Sequence, residues 1–580
     1  MSRYGRAALW LICLSPLVWI PGGFDRFVFG KVLVATAGVG CAALAARRGR
    51  LPREVAVVAV VGLAWFAVAC LLSPTPWASF VGRWPRYEGV PVLLVYAGCL
   101  WAGARLLGGR GHAEQKELTT AVATASVLLG IASLGSALGW SIEGSSVEDR
   151  TGSLLGNATD QGMVAMMLAA VLFAPWLTRR TPLLTAGLAA SAVTLVLSGS
   201  RASLLATLVV IGATVVLKRR SNIQRAHLVA AGAAVVVLAG LVLALPQTRD
   251  RLTSTHSVDG RLLLWRKSLS IGWERWWSGG PSTYVDTFGR HKDAEWVRVV
   301  GVDNPPDSPH SWPLQALVAG GVPLLLIALA AAVLVVRAGW FAHRRDATDP
   351  IVLATLAATI GYGVALLPNF TIAGSTCLAA FLAGVLVAEE APVRERAAQP
   401  RLAATAAVAG VVLFTLGAAA EQAVADGVEA VLDHDLETAE SAFDRAHHLR
   451  PWDPDTSMLA AQTMAAPAYE RVGDTPELTE RYARRSLART PDTFPAGLAL
   501  AVAQHGQGDL AGAHATLDRL LALHPNEPTA LIERARVRFE QTDVAGARAD
   551  LRLARRLSPR DPTPGELLRE IDSRVGAGRG

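Results

Sequence analysis

Long apolar runs separated by short polar breaks occupy the chain up to about Ala420; beyond it, charged residues become dense and apolar positions recur at the spacing of amphipathic helices. Apolar runs of roughly 17–25 residues match the hydrocarbon thickness of a bilayer, where only a helix can satisfy its own backbone. The pattern predicts membrane helices at Ala7–Ile20, Phe29–Ala45, Val55–Leu72, Val90–Leu107, Leu118–Trp140, Gly162–Leu177, Pro182–Leu197, Ala202–Leu217 and Ala226–Leu245. After a long polar interval it predicts four more, at Pro313–Val336, Ile351–Leu367, Ile372–Ala388 and Leu402–Ala419, about thirteen in all. The first run follows Arg3 and Arg6, and no small-residue cleavage site precedes Pro21, so it reads as a retained helix.

Charge in the loops tests this count. Arg47, Arg48 and Arg50, then Arg110 with Lys116, Arg179–Arg180, Lys218–Arg220, Arg337 with Arg344–Arg345, and Arg394 to Arg401 fall in alternate loops. They share one side if the amino terminus is cytoplasmic, as the positive-inside rule expects. The opposite side then receives 73–89, 141–160, 198–201, 246–312, 368–371 and everything after Ala420.

From Glu421 onward four segments resemble one another, beginning at Asp435, Thr475, Gly508 and Asp543. Pro491, Pro525 and Pro559 close the last three at a spacing of 34 residues, the period of tetratricopeptide repeats, in which proline ends the second helix of a pair. The longer interval from Pro451 to Pro491 implies an insertion near Met464–Asp474. The expected fold is all-α: a polytopic membrane helical bundle over 1–420 with an outer-face loop at 246–312, then an extracytoplasmic α-solenoid of repeats over 421–580.

Composition refines this picture little. Hydrophobic residues make up 52% and charged residues 18%, and the net charge of +7 sits mainly in loops that orient a membrane protein, which argues against a nucleic-acid partner. The five cysteines lie in apolar runs without metal-type spacing and read as small core residues.

Candidate chemistry collects on the side opposite the basic loops. Arg83 and Arg86 lie in Val81-Gly-Arg-Trp-Pro-Arg-Tyr-Glu-Gly89, and Asn157 and Gln161 in Gly156-Asn-Ala-Thr-Asp-Gln-Gly162. Arg201 is a lone cation in Ser198-Gly-Ser-Arg-Ala-Ser203, between two apolar runs. An ionised residue at such depth costs on the order of 2.5–3.5 kcal/mol and usually faces a polar cavity with a partner. A guanidinium suits phosphate through paired hydrogen bonds; the alternatives are snorkelling to headgroups or pairing with Asp160. Arg261 and Arg266 flank Leu262-Leu-Leu-Trp265, which reads as an amphipathic helix at the membrane surface. His310 ends the long polar interval just before an apolar run, and Asp303 and Asp307 nearby read as turn residues, so no metal is assigned.

The order Gly156-Asn157, Ser198-Gly-Ser-Arg-Ala-Ser203, Gly260-Arg-Leu-Leu-Leu-Trp265, Gly279-Gly-Pro281 and His310-Ser311 with Gly320-Gly321 resembles the O-antigen ligase/polymerase family of bacterial membrane glycosyltransferases, over roughly Phe24 to Glu390. The resemblance implies a polyprenyl-diphosphate-linked glycan donor and a glycan, glycolipid or protein acceptor, with an active site at the outer face of the plasma membrane and no cofactor or metal. It also implies that Arg201 and Arg261 are the two essential arginines and His310 the essential histidine. Arg83, Arg86, Asn157, Gln161 and Arg266 are the candidate substrate contacts. After Asn157 the sequence runs Ala-Thr-Asp-Gln, where the family usually has proline and a further asparagine. The bilayer is one partner, and a protein partner on the repeats another. Ligase, polymerase and protein O-oligosaccharyltransferase stay open at this point. So do a lipid-linked glycan transporter, disfavoured by the few charges within spans other than Lys31 and Arg105, and a non-enzymatic scaffold, which has no use for such an arginine–histidine set.

Overall fold

A computed structural model describes residues 1–109, 111–140, 146–147, 150–219, 256–301, 306–394 and 400–577. In chain order the helices are α1 (Arg3–Leu14), α2 (Phe29–Leu44), α3 (Arg53–Leu71), α4 (Pro76–Val81), α5 (Val90–Leu107), α6 (His112–Ala137), α7 (Ala158–Thr178), α8 (Pro182–Ser198) and α9 (Arg201–Arg219). Then come α10 (His256–Glu274), α11 (Tyr284–Gly289), α12 (Ala294–Val299), α13 (Trp312–Arg345), α14 (Pro350–Ala365), α15 (Ala373–Val387) and α16 (Pro400–Leu432). The last group is α17 (Leu436–Leu449), α18 (Asp455–Tyr469), α19 (Thr475–Leu487), α20 (Phe494–Gly506), α21 (Leu510–Leu523), α22 (Pro528–Glu540), α23 (Val544–Leu557) and α24 (Thr563–Ala577). The chain is all-α apart from short antiparallel pairs: β1 (Arg47–Arg50) with β4 (Glu389–Arg394), and β2 (Ser146–Val147) with β3 (Arg150–Thr151).

Two compact units emerge, and neither is one continuous stretch: 1–68, 86–255 and 310–418 form the first, and 69–85, 256–309 and 419–580 the second. The long interval expected to belong with the membrane part thus contributes 256–309 to the unit that holds the repeats.

The first unit is a membrane helical bundle. Among the described residues six helices are long and apolar enough to cross a bilayer, and five shorter apolar helices pack with them. The expected span Ala226–Leu245 lies outside the described residues. Helix α7 is the most buried of the six and contacts α6, α8, α9 and α14. The outer helices α3 and α13 leave Val57, Val60, Leu326 and Val333 exposed, as surfaces solvated by lipid tails do. At the α5–α15 crossing, a Cβ added to Gly103 would collide with the Phe381 carbonyl, and one added to Gly384 with the Leu100 carbonyl. Small residues of this kind let membrane helices approach backbone to backbone. One end of the bundle gathers basic loops: Arg48 pairs with Glu114 at 2.5 Å, and Arg50 Nε donates to Glu389 at 3.1 Å across the β1–β4 pair.

Helix α13 is broken near its start. Gly320 and Gly321 have non-helical angles, with Gly321 at φ 68° and ψ −168°, a region open essentially to glycine alone. Trp65 Nε1 donates to the freed Gly320 carbonyl at 2.8 Å, supplying the bond the break removes.

In the second unit the repeats are helix pairs: the end of α16 with α17, α18 with α19, α20 with α21, α22 with α23, and α24 as the last helix. The pairing has a local cause that recurs with the repeat. Asp435, Asp509 and Asp543 each cap the second helix of a pair by accepting a backbone N–H three residues on. The longer first interval is absorbed by a longer α18 and a longer turn, Glu470–Asp474, ahead of α19.

Candidate functional site

The corner between α8 and α9 carries Arg201. Gly199 closes α8 in the left-handed conformation at φ 56°, Ser200 Oγ meets Ser203 Oγ at 2.9 Å, and Arg201 is the first residue of α9. A Cβ on Gly162 would lie 2.7 Å from Ser203 Oγ, 2.8 Å from Ser198 Oγ and 2.9 Å from Ser200 Cβ, so α7 presses on this corner only because position 162 is glycine. The corner sets a half-buried guanidinium at a helix N-terminus, where the helix dipole and the first N–H groups favour an anion.

His310 belongs to the same end of the bundle. Leu217 near the end of α9 packs with Leu353 and Ala354 at the start of α14, while Gly361 further along α14 faces Val210. The two helices therefore run antiparallel, and the same register brings Arg201 level with the turn that follows α14, at Leu366–Phe370. Trp312 N, two residues after His310, donates to Leu366 O at 3.1 Å. His310 itself takes a positive φ of 49°, and its ring lies 4.8 Å from the Phe370 ring. Arg86 comes to that ring as well: its guanidinium is 3.7 Å from the Phe370 centroid, and its Nη1 donates to Thr371 O at 3.2 Å. Glu88 supports the arrangement by accepting from Thr371 Oγ1 at 2.7 Å and Tyr96 OH at 2.9 Å. Phe370 and Glu88 are not among the candidate residues that the sequence motifs supply. A phenylalanine beside an apolar run carries no signal of its own, because its role comes from two cationic or imidazole partners far away in the chain.

Asn157 and Gln161 are held by local bonds. Asn157 caps α7, its Oδ1 accepting from Thr159 N at 2.7 Å, and Gln161 Oε1 accepts from Ser153 Oγ at 2.7 Å in full burial. Asp160 is fully buried, and the groups that act on its carboxylate are Ser375 and Lys31 rather than Arg201. The neighbouring charge is Lys31, also fully buried, which donates to Leu154 O at 2.8 Å and Val18 O at 3.1 Å.

Arg261, Arg266 and Arg83 belong to the second unit. Arg261 is half-buried on α10, with Leu263 and Leu264 buried beside it and Leu262 exposed. Arg266 is exposed and pairs with Glu295 at 2.6 Å. Arg83 has a different part from the substrate contact expected of it. Its guanidinium is buried and committed to carboxylates, with Nη2 2.7 Å from Asp455 Oδ1 and Nη1 paired with Asp286. Burial alone would lower its pKa, but the two carboxylates raise it, so the charge is fixed in place. Asp286 is pushed up by its burial against the pull of Arg83. Of the two aspartates close to His310 in sequence, Asp303 lies outside the described residues, and Asp307 is half-buried.

No curated protein matches the chain. Among solved structures, the APC/C hetero-tetramer Cut9–Hcn1 is similar at 12% identity, covering 83% of this chain and 76% of that one with a TM-score of 0.24. The yeast Tom70 structure is similar at 13% identity, covering 71% and 91% with a TM-score of 0.19. Scores of this size are too low to carry a fold assignment. Residues 186–329, the stretch holding Arg201, Arg261 and His310, match the O-antigen ligase family model, so this part of the chain is similar to that family.

Proposed function

We propose that this chain transfers a glycan from a polyprenyl-diphosphate carrier to an acceptor hydroxyl at the outer face of the plasma membrane. The observation that carries this reading is that the O-antigen ligase match spans all three candidate catalytic residues, while the bundle brings Arg201 to the end where His310 stands.

The donor already contains its leaving group. Its anomeric carbon–oxygen bond to the diphosphate breaks as the acceptor oxygen forms the new glycosidic bond, and the carrier departs as polyprenyl diphosphate. Arg201 and Arg261 hold the diphosphate and offset the negative charge that grows on it, which is worth most in a site poor in water. His310 takes the acceptor proton, the usual part of an imidazole in general-base catalysis. Arg86, stacked on the same phenylalanine as His310, lies beside the acceptor position and orients it. The chemistry runs on these side chains without a metal or cofactor. Ligation to a glycolipid, polymerisation and protein glycosylation share this step and differ only in the acceptor. The amino terminus is cytoplasmic and the repeats extracytoplasmic in this reading, in keeping with the alternation of basic loops.

Two measurements test it. Cells lacking the gene should show envelope glycans that are unattached, or shorter, relative to complemented cells. Purified protein should release polyprenyl diphosphate from a labelled lipid-linked glycan when an acceptor is present. Unchanged envelope glycans together with no carrier release would sink the reading.

A further inference from the structure

The turns between successive repeats lie against chain segments that are not repeats. The turn between α17 and α18 presents Asp455, whose carboxylate receives Arg83 Nε at 2.9 and 3.0 Å and the Trp84 N–H at 2.9 Å, while Trp77 Nε1 donates to Trp452 O at 2.8 Å. The turn between α19 and α20 presents Asp492, paired with Arg290, and Thr493, whose Oγ1 donates to Asp286 at 3.0 Å. The turn between α21 and α22 presents Glu527, 2.5 Å from Lys292 Nζ, and Asn526, whose Nδ2 donates to Lys292 O at 2.9 Å. An acidic residue thus recurs at equivalent turns, and each meets a cation of the interval 69–85 or 256–309.

The same segment turns its other side to α10. Lys292 reaches the repeats, whereas its neighbour Asp293 accepts from Lys267 of α10 at 2.6 Å. His291 contacts Glu274 at 2.9 Å, Glu295 holds Arg266 at 2.6 Å, and Tyr284 OH meets Ser268 Oγ at 2.7 Å. Residues 284–299 therefore form a plate between the repeat turns and the helix that carries Arg261. Two of the three repeat-side pairs are buried, whereas Arg290 and Asp492 are 37% and 36% exposed. Arg83 and Asp455 are 4% and 1% exposed, and Lys292 and Glu527 5% and 7%. Removing one partner of such a pair strands a buried charge, so the pair resists displacement far more than an exposed one does.

We propose that the repeat array is an intramolecular clamp: Asp492 and Glu527 grip residues 284–299 directly, Asp455 does so through Arg83 and its pair with Asp286, and together they fix α10, so that Asp455, Asp492 and Glu527 are positioning residues for Arg261. The proposal rests on the reading of Arg261 as a diphosphate contact for its bearing on transfer, but not for the clamp itself. The turn-bearing edge of the repeats is occupied by this chain's own loop.

The test uses the full chain in membranes with two readouts, hydrogen exchange of the α10 amides and carrier release. Lys292→Glu and Glu527→Lys should each speed α10 exchange on the order of tenfold or more and cut the turnover rate at saturating donor on the order of tenfold. Combining the two restores an opposite-charge pair and should bring both readouts back. Exchange in α10 and turnover that stay at wild-type values in both single variants would overturn the clamp, as would failure of the double variant to recover. A second construction guards against misfolding. A Cβ at Gly289 would collide with the His524 ring, so Gly289→Cys with His524→Cys places two thiols within disulfide reach, away from the native cysteines in the apolar helices. This bridge should form on mild oxidation and restore α10 protection to Lys292→Glu; its failure to form counts against the clamp. Altered exchange in the single variants, with no carrier release even from the wild type, supports the clamp and counts against the proposed reaction.

Discussion

Arg83 and Arg86 stand three residues apart and look equivalent in the sequence, yet they do unrelated work. Arg83 is consumed by Asp455, which lies 372 positions away, whereas Arg86 stacks on Phe370 at the same end of the bundle as His310. No local property of the loop separates them, because the partner of each is set by long-range packing. Arg201 is different. Its isolation between apolar runs was itself the signal, since a charge at that depth needs a reason. Replacing Arg201 or Arg261 with alanine should lower glycan transfer roughly 10²–10³-fold while membrane insertion is retained. Carrier release measured on equal amounts of inserted protein decides it, and near-normal rates from both variants would remove charge stabilisation from the mechanism. Lysine in place of Arg201 should recover only part of the rate, because a point charge lacks the paired donors of a guanidinium.

At the level of elements, the apolar pattern located most of the described membrane helices, but the expected first span Ala7–Ile20 is a twelve-residue helix, Arg3–Leu14, and Pro313–Val336 is not one uninterrupted span. The observed α13 runs from Trp312 to Arg345 and breaks at Gly320–Gly321. Alanine at Gly321 should therefore strain the backbone by about 1–3 kcal/mol. A lowered melting temperature of the full chain in detergent is the expected result, and an unchanged one would mean the break is not held by this residue. The repeat helices make a second prediction. Burial pushes His505 down, but Glu533 at 2.6 Å and Glu540 at 3.0 Å outweigh it, and the imidazole pKa ends above its ordinary value. Its charged form is favoured in the folded state, so this stabilisation is complete below about pH 6.5 and is lost as pH rises through the raised value. Melting followed upward from about pH 6 should show this loss, and His505→Gln should flatten the slope. Equal slopes in the two proteins would exclude His505 as the group responsible.

On the scale of the molecule, the main departure from the sequence reading is which stretches fold together. Two intervals between membrane helices, 69–85 and 256–309, join the repeats in one compact unit, which turns a module expected to recruit partners into one that holds the chain's own loop. The side of the membrane on which this unit stands is open to a direct test. Gln507 is exposed at the end of α20, and a cysteine placed there should react with a membrane-impermeant thiol reagent on intact cells. Labelling only after the membrane is breached would reverse the proposed topology.

Sequence alone determined the class of the protein, because helix length against bilayer thickness, the alternation of basic loops and a 34-residue proline period are properties of order along the chain. It also determined the candidate residues Arg201, Arg261 and His310, through short motifs whose spacing survives without knowledge of the fold. Only the tertiary structure decided what surrounds them. Asp455 against Arg83, Glu527 against Lys292 and Phe370 against both Arg86 and His310 are contacts between residues tens to hundreds of positions apart. Ion pairing and ring stacking depend on distance and burial in space, and hydropathy and spacing along the chain record neither.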